Sequence, residues 1–315
     1  MNLAILPGEP GSVRLVEMPM PPAPRGDEVL LRMIHAPVNP ADLLAIDGRY
    51  SFDLPQDKPL GAEGAGVVAA VGDAVTDLQP GDLVMPLGRG NWCRHRLLPR
   101  DDVIVLPAGL DPVQAAMLRI NPPTAHLLLR DAGLRPGDAL VQNGAGSVVA
   151  RWVRAFAARM DVTVIDVLRR PDSALPHALV DGDDLAERAR AAADGRPIRA
   201  AFDCVAGAAT GRLARCLAHG GRLLLFGHLS GEPIQVRSQM LTGGGLSIMG
   251  FSLRPAEAAL GGEGVRAMFA RLAAYHAAVP PSLPVSAIVP LTRAPEAIAR
   301  ARAGGEGRVL FDLSA

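Results

Sequence analysis

"ALVQNGAGSVVARWVRAFAARMDVTVIDVL", residues 139–168, is the stretch on which the fold turns. It opens with an apolar run of strand length, passes through Gly144 and Gly146, continues as a helix and closes on a second buried strand. A glycine turn between strand and helix lets backbone N–H groups and a helix N-terminus face a pyrophosphate. Asn143 and Ser147 flank that turn and add side-chain donors. The motif is incomplete: G-x-G-x-x-G needs glycine at position 149, and the chain has Val149, so an ordinary βα turn fits as well. The second strand ends where dinucleotide folds read the adenosine ribose, about 20 residues after the turn. Asp166 there is suited to a ribose 2′-OH, which favours NAD. Arg169 and Arg170 are suited to a 2′-phosphate, which favours NADP. Asp166 falls inside the strand and the arginines follow it, which favours NADP over NAD; a solvated arginine loop is the alternative.

Working outward, strand and helix texture alternates. "LAERARAAADG" (helix), "IRAAFDCVAG" (strand), "TGRLARCLAHGG" (helix) and "RLLLFGHLSG" (strand) follow in order. Such alternation implies α/β architecture with a parallel, doubly wound sheet. "DPVQAAMLRINPPTAHLLLRDAG" reads as helix with a Pro-Pro interruption, and "PAEAALGGEGVRAMFARLAAYHAA" as renewed helix. The first 110 residues are different: rich in Gly and Pro, with the β-type runs "EVLLRMIHAPV", "GAGVVAAVG" and "LQPGDLVMPL". Between the first two lies a short helix, "VNPADLLAIDG", with Asn39 as N-cap, Pro40 at the first helical position and Asp42 three residues after the cap. The tail "GRVLFDLSA" reads as a last strand returning to this region.

Composition narrows the function. The 32 basic and 32 acidic residues balance to zero net charge across 315 residues, which gives no support for a nucleic-acid or anionic-membrane partner. Lys58 is the only lysine, so Schiff-base chemistry has a single candidate. Three cysteines without a CxxC, and no signal-like N-terminus, point to a reducing, cytoplasmic setting. No uncharged apolar run reaches the roughly 18 residues of a membrane span.

Several stretches together carry a family resemblance: "VNPADLLAIDGRY", "GAEGAGVVAAVGDAVTDLQPGDLVMP", "INPPTAHLLL", "PGDALVQNGAG", "GGRLLLFGHLSG" and "GLSIMGFSL". The chain resembles the medium-chain dehydrogenase/reductase superfamily over essentially its full length. Within it, the zinc-independent 2-enoyl thioester reductases of mitochondrial type are nearest, and the quinone oxidoreductases next. The resemblance implies a β-rich GroES-like catalytic domain (residues 1–112), a Rossmann NADP-binding domain (113–275) and a C-terminal return to the catalytic domain (276–315), with NADPH in the cleft between the domains. It implies a homodimer joined through "GLSIMGFSL". It makes Tyr50 the catalytic tyrosine and sets Asn121 and Thr124 beside the nicotinamide and its phosphates. Gly146 and Ser147 match part of the pyrophosphate turn, and Arg169, with Arg170, the 2′-phosphate arginines. Phe226, Gly227 and His228 match the loop along the cofactor, and Phe251 to Leu253 the segment facing the carboxamide. Three departures stand out: "SVVA" puts Val148 and Ala150 where the family has glycines, a C-terminal lysine is replaced by Gly307 or Arg308, and the loop after Arg170 is shortened, without a clear helix-strand unit.

Zinc relatives carry a histidine where this chain has Ala62 in "GAEGAG". No cysteine occurs in "VNPADLL" or "RINPPTA", and one carboxylate, Glu63, does not hold a catalytic zinc. No metal is expected. Without a Lewis acid the natural hydride acceptor is an activated C=C or a quinone. Such a C=C also needs a proton donor, for which Tyr50 is the candidate; Tyr275, in an amphipathic helix, reads as packing. Cys204 reads as a small core residue, and the seven histidines form no H-x₃-H or H-E-x-x-H pattern. The leading expectation is NADPH-dependent reduction of a trans-2-enoyl thioester of CoA or acyl carrier protein. An NADPH:quinone oxidoreductase is second, and a catalytically degenerate cofactor-binding protein third.

Overall fold

A computed structural model of the chain describes residues 1–49, 55–278, 283–305 and 307–315. The described chain falls into two units, one formed by Met1–Ile120 with Glu263–Ala315 and the other by Asn121–Gly262. These breaks fall at 120/121 and 262/263, where the sequence reading put them at 112/113 and 275/276.

The N-terminal segment supplies β1 (Asn2–Pro7), β2 (Val13–Met18), β3 (Glu28–Pro37), α1 (Pro40–Ile46), β4 (Ala65–Val71), β5 (Leu83–Pro86), β6 (His95–Pro99), β7 (Val103–Val105) and α2 (Pro112–Ala115). The middle segment supplies α3 (Asn121–Ala132), β8 (Ala139–Gln142), α4 (Val148–Ala157), β9 (Thr163–Leu168), β10 (Leu179–Val180), α5 (Leu185–Ala192) and β11 (Ile198–Asp203). It continues through α6 (Ala208–Cys216), β12 (Arg222–Leu225), α7 (Ser238–Thr242), β13 (Ser247–Gly250) and α8 (Leu253–Ala258). Then come α9 (Gly261–Ala278), β14 (Val285–Pro290), α10 (Ala294–Ala303) and β15 (Arg308–Asp312).

In the first unit β1 and β2 form a two-stranded sheet, with Ala4 of β1 also bridging Cys93, and seven strands form a sheet in the order β14-β15-β3-β4-β5-β7, with β6 also on β3. The C-terminal strand closes back on the N-terminal region: Leu310, Phe311 and Asp312 pair antiparallel with Pro37, Ala36 and His35. Apolar alternation along β3 explains the register, since Val29, Leu31 and Met33 share a face and are fully buried. They pack with Ile5, Val84 and the edge-to-face pair Trp92–Phe311, whose ring centroids lie 4.9 Å apart. The indole N–H, which would be costly to bury unpaired, donates to the Pro37 carbonyl at 3.2 Å.

The second unit is a six-stranded sheet in the order β10-β9-β8-β11-β12-β13, with every pairing parallel. Its central strand β8 is buried at all four positions, as expected where a parallel sheet is covered on both faces. The strand order reverses between β8 and β11, and in open α/β sheets ligands bind outside the carboxyl ends of the strands at such a point.

Two details of the sequence reading are corrected. The Pro-Pro pair does not interrupt a helix; Pro122 and Pro123 lie in the first turn of α3, which starts at Asn121. The first turn has no use for those N–H groups, so proline is tolerated there. The loop after Arg170 also holds a strand: Leu179 and Val180 pair with Val167 and Leu168 to form the sheet edge.

Candidate functional site

The carboxyl edge of the parallel sheet gathers most of the residues singled out from sequence. Gly144, Gly146 and Ser147 follow β8, and Arg169 and Arg170 follow β9. Phe226, Gly227 and His228 follow β12, and Phe251 and Leu253 follow β13. Gly144 has φ +59°, and a Cβ there would stand 2.5 Å from the Cys204 sulfur, so only glycine fits. Gly227 presses on the same loop, where a Cβ would meet the Cys204 carbonyl oxygen at 2.7 Å. Over Gly146 no atom lies within 4 Å of the position a Cβ would take, so the turn is open there.

Helix α4 starts immediately after this opening. Ser147 caps it, its Oγ accepting from the Ala150 N–H at 3.2 Å, and the hydroxyl hydrogen is left to donate elsewhere. Val148 and Ala150 do not break the helix; Ala150 is buried and its carbonyl accepts from Gln142 Nε2 at 3.3 Å. An open glycine turn leading into a capped ten-residue helix is the fit a pyrophosphate requires.

Asn143, read from sequence as a phosphate donor, has another occupation. Its Oδ1 accepts from the Cys204 N–H at 2.8 Å, and its Nδ2 donates to Asp203 Oδ1 at 2.5 Å. Asp203 is fully buried and accepts also from Val205 N–H, Ala206 N–H and the Thr210 hydroxyl, at 2.8, 3.0 and 2.6 Å. Asn143 therefore ties the ends of β8 and β11 together. Cys204 is buried, and burial pushes its thiol up to about 12, so it is no nucleophile.

Inside β9, Asp166 Oδ1 accepts from Gln142 Nε2 at 2.8 Å and from Arg154 Nη1 at 3.0 Å. Arg169 and Arg170 are exposed, and no hydrogen bond or ion pair engages either guanidinium among the described residues. Asn121 and Thr124 lie buried in the first turn of α3. The Asn121 Nδ2 is a buried donor with no partner among the described residues, as expected of a group that awaits a ligand. Tyr50 lies outside the described residues.

The first unit holds a buried carboxylate pair that sequence reading missed as a pair. Asp42 Oδ2 accepts from the Asn39 N–H at 3.0 Å, which is the helix-capping contact expected of "NPAD". Its Oδ1 accepts from the Ala62 N–H at 3.0 Å, and Arg89 stands 3.6 Å from the same oxygen. Glu63 accepts from Asn39 Nδ2 and from the Ile120 N–H, both at 2.9 Å. Glu63 thus holds the backbone directly before Asn121. Among the described residues no group of three or more His, Cys, Asp or Glu side chains is placed to hold a metal ion. No helix among them is long and apolar enough to cross a membrane.

Burial lifts the Glu63 carboxyl from its ordinary 4.5 to about 7, with Asp42 pushing the same way and Asn39, Arg308 and the Ile120 N–H opposing. Asp42 is also raised, by burial, against Arg89, two backbone N–H groups and Arg308. A carboxyl raised in the native state binds its proton more tightly folded than unfolded. Its contribution to stability is full below pH 4.5 and is lost as the pH rises through about 7. Glu63→Gln cannot ionise, so its unfolding free energy should fall less steeply over that window, by about 3 kcal/mol. Urea unfolding of both proteins across the window tests this, and parallel profiles would exclude Glu63 as the titrating group.

Comparison with known proteins adds the family. Residues 25–108 match the family described as "Alcohol dehydrogenase GroES-like domain". The mitochondrial enoyl-acyl-carrier-protein reductase of Xenopus tropicalis is 34% identical over 244 residues, 72% of this chain and 69% of that protein. A Bacillus thuringiensis protein assigned as an NADPH:quinone reductase superposes with a TM-score of 0.88 at 25% identity, covering 99% of this chain and 98% of the other. A mutant form of the enoyl thioester reductase of Candida tropicalis shares the fold, with a TM-score of 0.83 at 22% identity over 99% of both chains.

Proposed function

The chain belongs to the family of the mitochondrial enoyl-acyl-carrier-protein reductases, within the medium-chain dehydrogenase/reductase superfamily, and from that premise we propose that it reduces trans-2-enoyl thioesters of CoA or acyl carrier protein with NADPH. NADPH, when bound, supplies the hydride that reaches the β-carbon of the substrate. The thioester carbonyl makes that carbon electrophilic and takes up the charge as an enolate. Tyr50 then donates its hydroxyl proton to the α-carbon, and water returns a proton to the tyrosinate.

The remaining roles belong to binding. The open turn at Gly144–Ser147 and the N-terminus of α4 receive the pyrophosphate. Arg169 and Arg170 take the 2′-phosphate, and Asn121 and Thr124 border the nicotinamide. Phe226, Gly227, His228, Phe251 and Leu253 run along the cofactor. Ala62 stands where zinc relatives have a ligand, so the reaction proceeds without metal. The GroES-like portion (1–112 and 276–315) serves as the catalytic domain and 113–275 as the NADP-binding domain. β13, exposed at Ser247, Met249 and Gly250, serves as the edge for a homodimer.

The observation that supports the thioester over the quinone is the 34% identity with the Xenopus reductase across 72% of this chain. The quinone reading draws on the Bacillus thuringiensis structure. Steady-state NADPH oxidation with crotonyl-CoA and longer 2-enoyl-CoA esters, beside simple quinones and with chelator present, separates the two. Turnover of the enoyl esters, unchanged by chelator and with deuteride placed at the β-carbon, is expected. Quinone turnover without enoyl product makes the protein a quinone oxidoreductase. Failure to bind any dinucleotide makes it a degenerate relative.

A further inference from the structure

We infer that Arg154 determines cofactor specificity: by pairing with Asp166 it neutralises the acid at the adenosine end of the site and so turns a strand end suited to NADH into one that takes NADPH. This rests on the reading of the carboxyl edge as a dinucleotide site.

Asp166 lies inside β9, level with the last residue of β8 and two residues before the strand end near which an acidic residue ordinarily accepts from the adenosine ribose diol. In this chain it is not available for that. Its Oδ1 is held by Gln142 Nε2 at 2.8 Å and Arg154 Nη1 at 3.0 Å, and the Asp166 side chain is only 12% exposed. Gln142 reaches it because β8 and β9 pair in parallel with Gln142 directly beside Asp166. Arg154 reaches it from α4, where it stands seven residues after the Ser147 cap and therefore on nearly the same helix face. The same Nη1 donates to the Ala145 carbonyl of the glycine turn at 3.0 Å. One guanidinium thus anchors the pyrophosphate turn and the ribose-reading acid together.

The charge consequence follows. Asp166 and Arg154 cancel, and Arg169 and Arg170 leave the strand end with two net positive charges, which suits a phosphate monoester of nearly two negative charges. Without Arg154 the carboxylate is unpaired. It then repels the 2′-phosphate and is free to accept from a ribose 2′-OH. Arg154 is a positioning residue that acts through Asp166 and not by touching the diol or the phosphate.

The test is fluorescence titration of NADPH and NADH, with melting temperature as the check on folding, for wild type, Arg154→Met, Asp166→Asn and the double variant. Arg154→Met should shift the NADPH-to-NADH affinity ratio toward NADH by at least about tenfold, the loss expected for one charge-assisted contact. Adding Asp166→Asn should return most of that preference, because no carboxylate remains to repel the phosphate. Asp166→Asn alone should leave NADH affinity within about twofold of wild type, since a neutralised Asp166 reads no ribose. The inference is overturned if Arg154→Met leaves the ratio unchanged in a folded protein that prefers NADPH, or if the double variant shifts as far as the single. A tenfold loss of NADH affinity in Asp166→Asn overturns it too, independently of whether Arg154→Met folds. A wild type that prefers NADH, or binds neither dinucleotide, overturns it along with the cofactor assignment.

Discussion

Tyr50→Phe is expected to lower kcat for 2-enoyl thioesters by about 10²–10⁴-fold while leaving NADPH affinity nearly unchanged. The substitution removes a hydroxyl and keeps the ring, so a packing role would survive it and a proton-donor role would not. The chain offers few alternatives. It has two tyrosines, and Tyr275 lies half-buried on α9. The single lysine, Lys58, follows Tyr50 by eight residues and stands in no family motif. Residual turnover is expected, because water can deliver a proton to an enolate once hydride has arrived. Single-turnover kinetics with deuterated NADPH give the hydride step directly. If that step limits kcat and Tyr50→Phe leaves it unchanged, the tyrosine has no part in the chemistry. Tyr275→Phe is the control, with kcat expected to stay within about threefold.

Which parts of this architecture were legible in the sequence follows from the range of the interactions involved. The parallel sheet was legible because each βα unit is written locally: an apolar run, a glycine turn, an amphipathic helix. The glycine turn was legible for the same reason. The left-handed conformation at Gly144 is a local demand, and the Cys204 sulfur lying 2.5 Å from where a Cβ would stand adds a second bar that is distant in sequence. Strand β10 was not legible, since two residues carry no period. The side-chain partnerships were not legible either. Asn143 and Asp203 are 60 residues apart, and Glu63 and Ile120 are 57 apart. Asn143 in a phosphate turn invites a donor role, and only the fold shows that it meets a buried aspartate. Arg154 left a fainter trace. Its spacing of seven from Ser147 places it on the face that looks back toward the turn, but the pairing with Asp166 needs the β8–β9 register to be known. Family resemblance carried what local pattern could not, the roles proposed for Tyr50, Asn121 and Thr124.

Replacing both Arg169 and Arg170 by alanine is the second large effect. The NADPH KM should rise at least about tenfold, and the NADH KM should move little. Each guanidinium can give a phosphate charge-assisted bonds of roughly 1.5–3 kcal/mol, and solvent at an exposed site reduces the measured share. Both side chains are exposed and unengaged among the described residues, so their loss should cost the fold no more than about 0.5 kcal/mol. That separates a binding effect from a folding effect: the melting temperature should hold while the KM climbs. Salt supplies a second signature. Raising ionic strength should weaken NADPH binding in wild type and much less in the double variant, because the screened charges are then gone. The pattern also distinguishes these residues from Arg154. Removing the exposed pair abolishes an attraction to the phosphate and leaves Asp166 neutralised, so NADH gains nothing. Removing Arg154 uncovers the carboxylate, so NADH should gain. A double variant that keeps the wild-type NADPH KM would show that the phosphate is bound elsewhere, and the arginine pair would then be a solvated loop after β9.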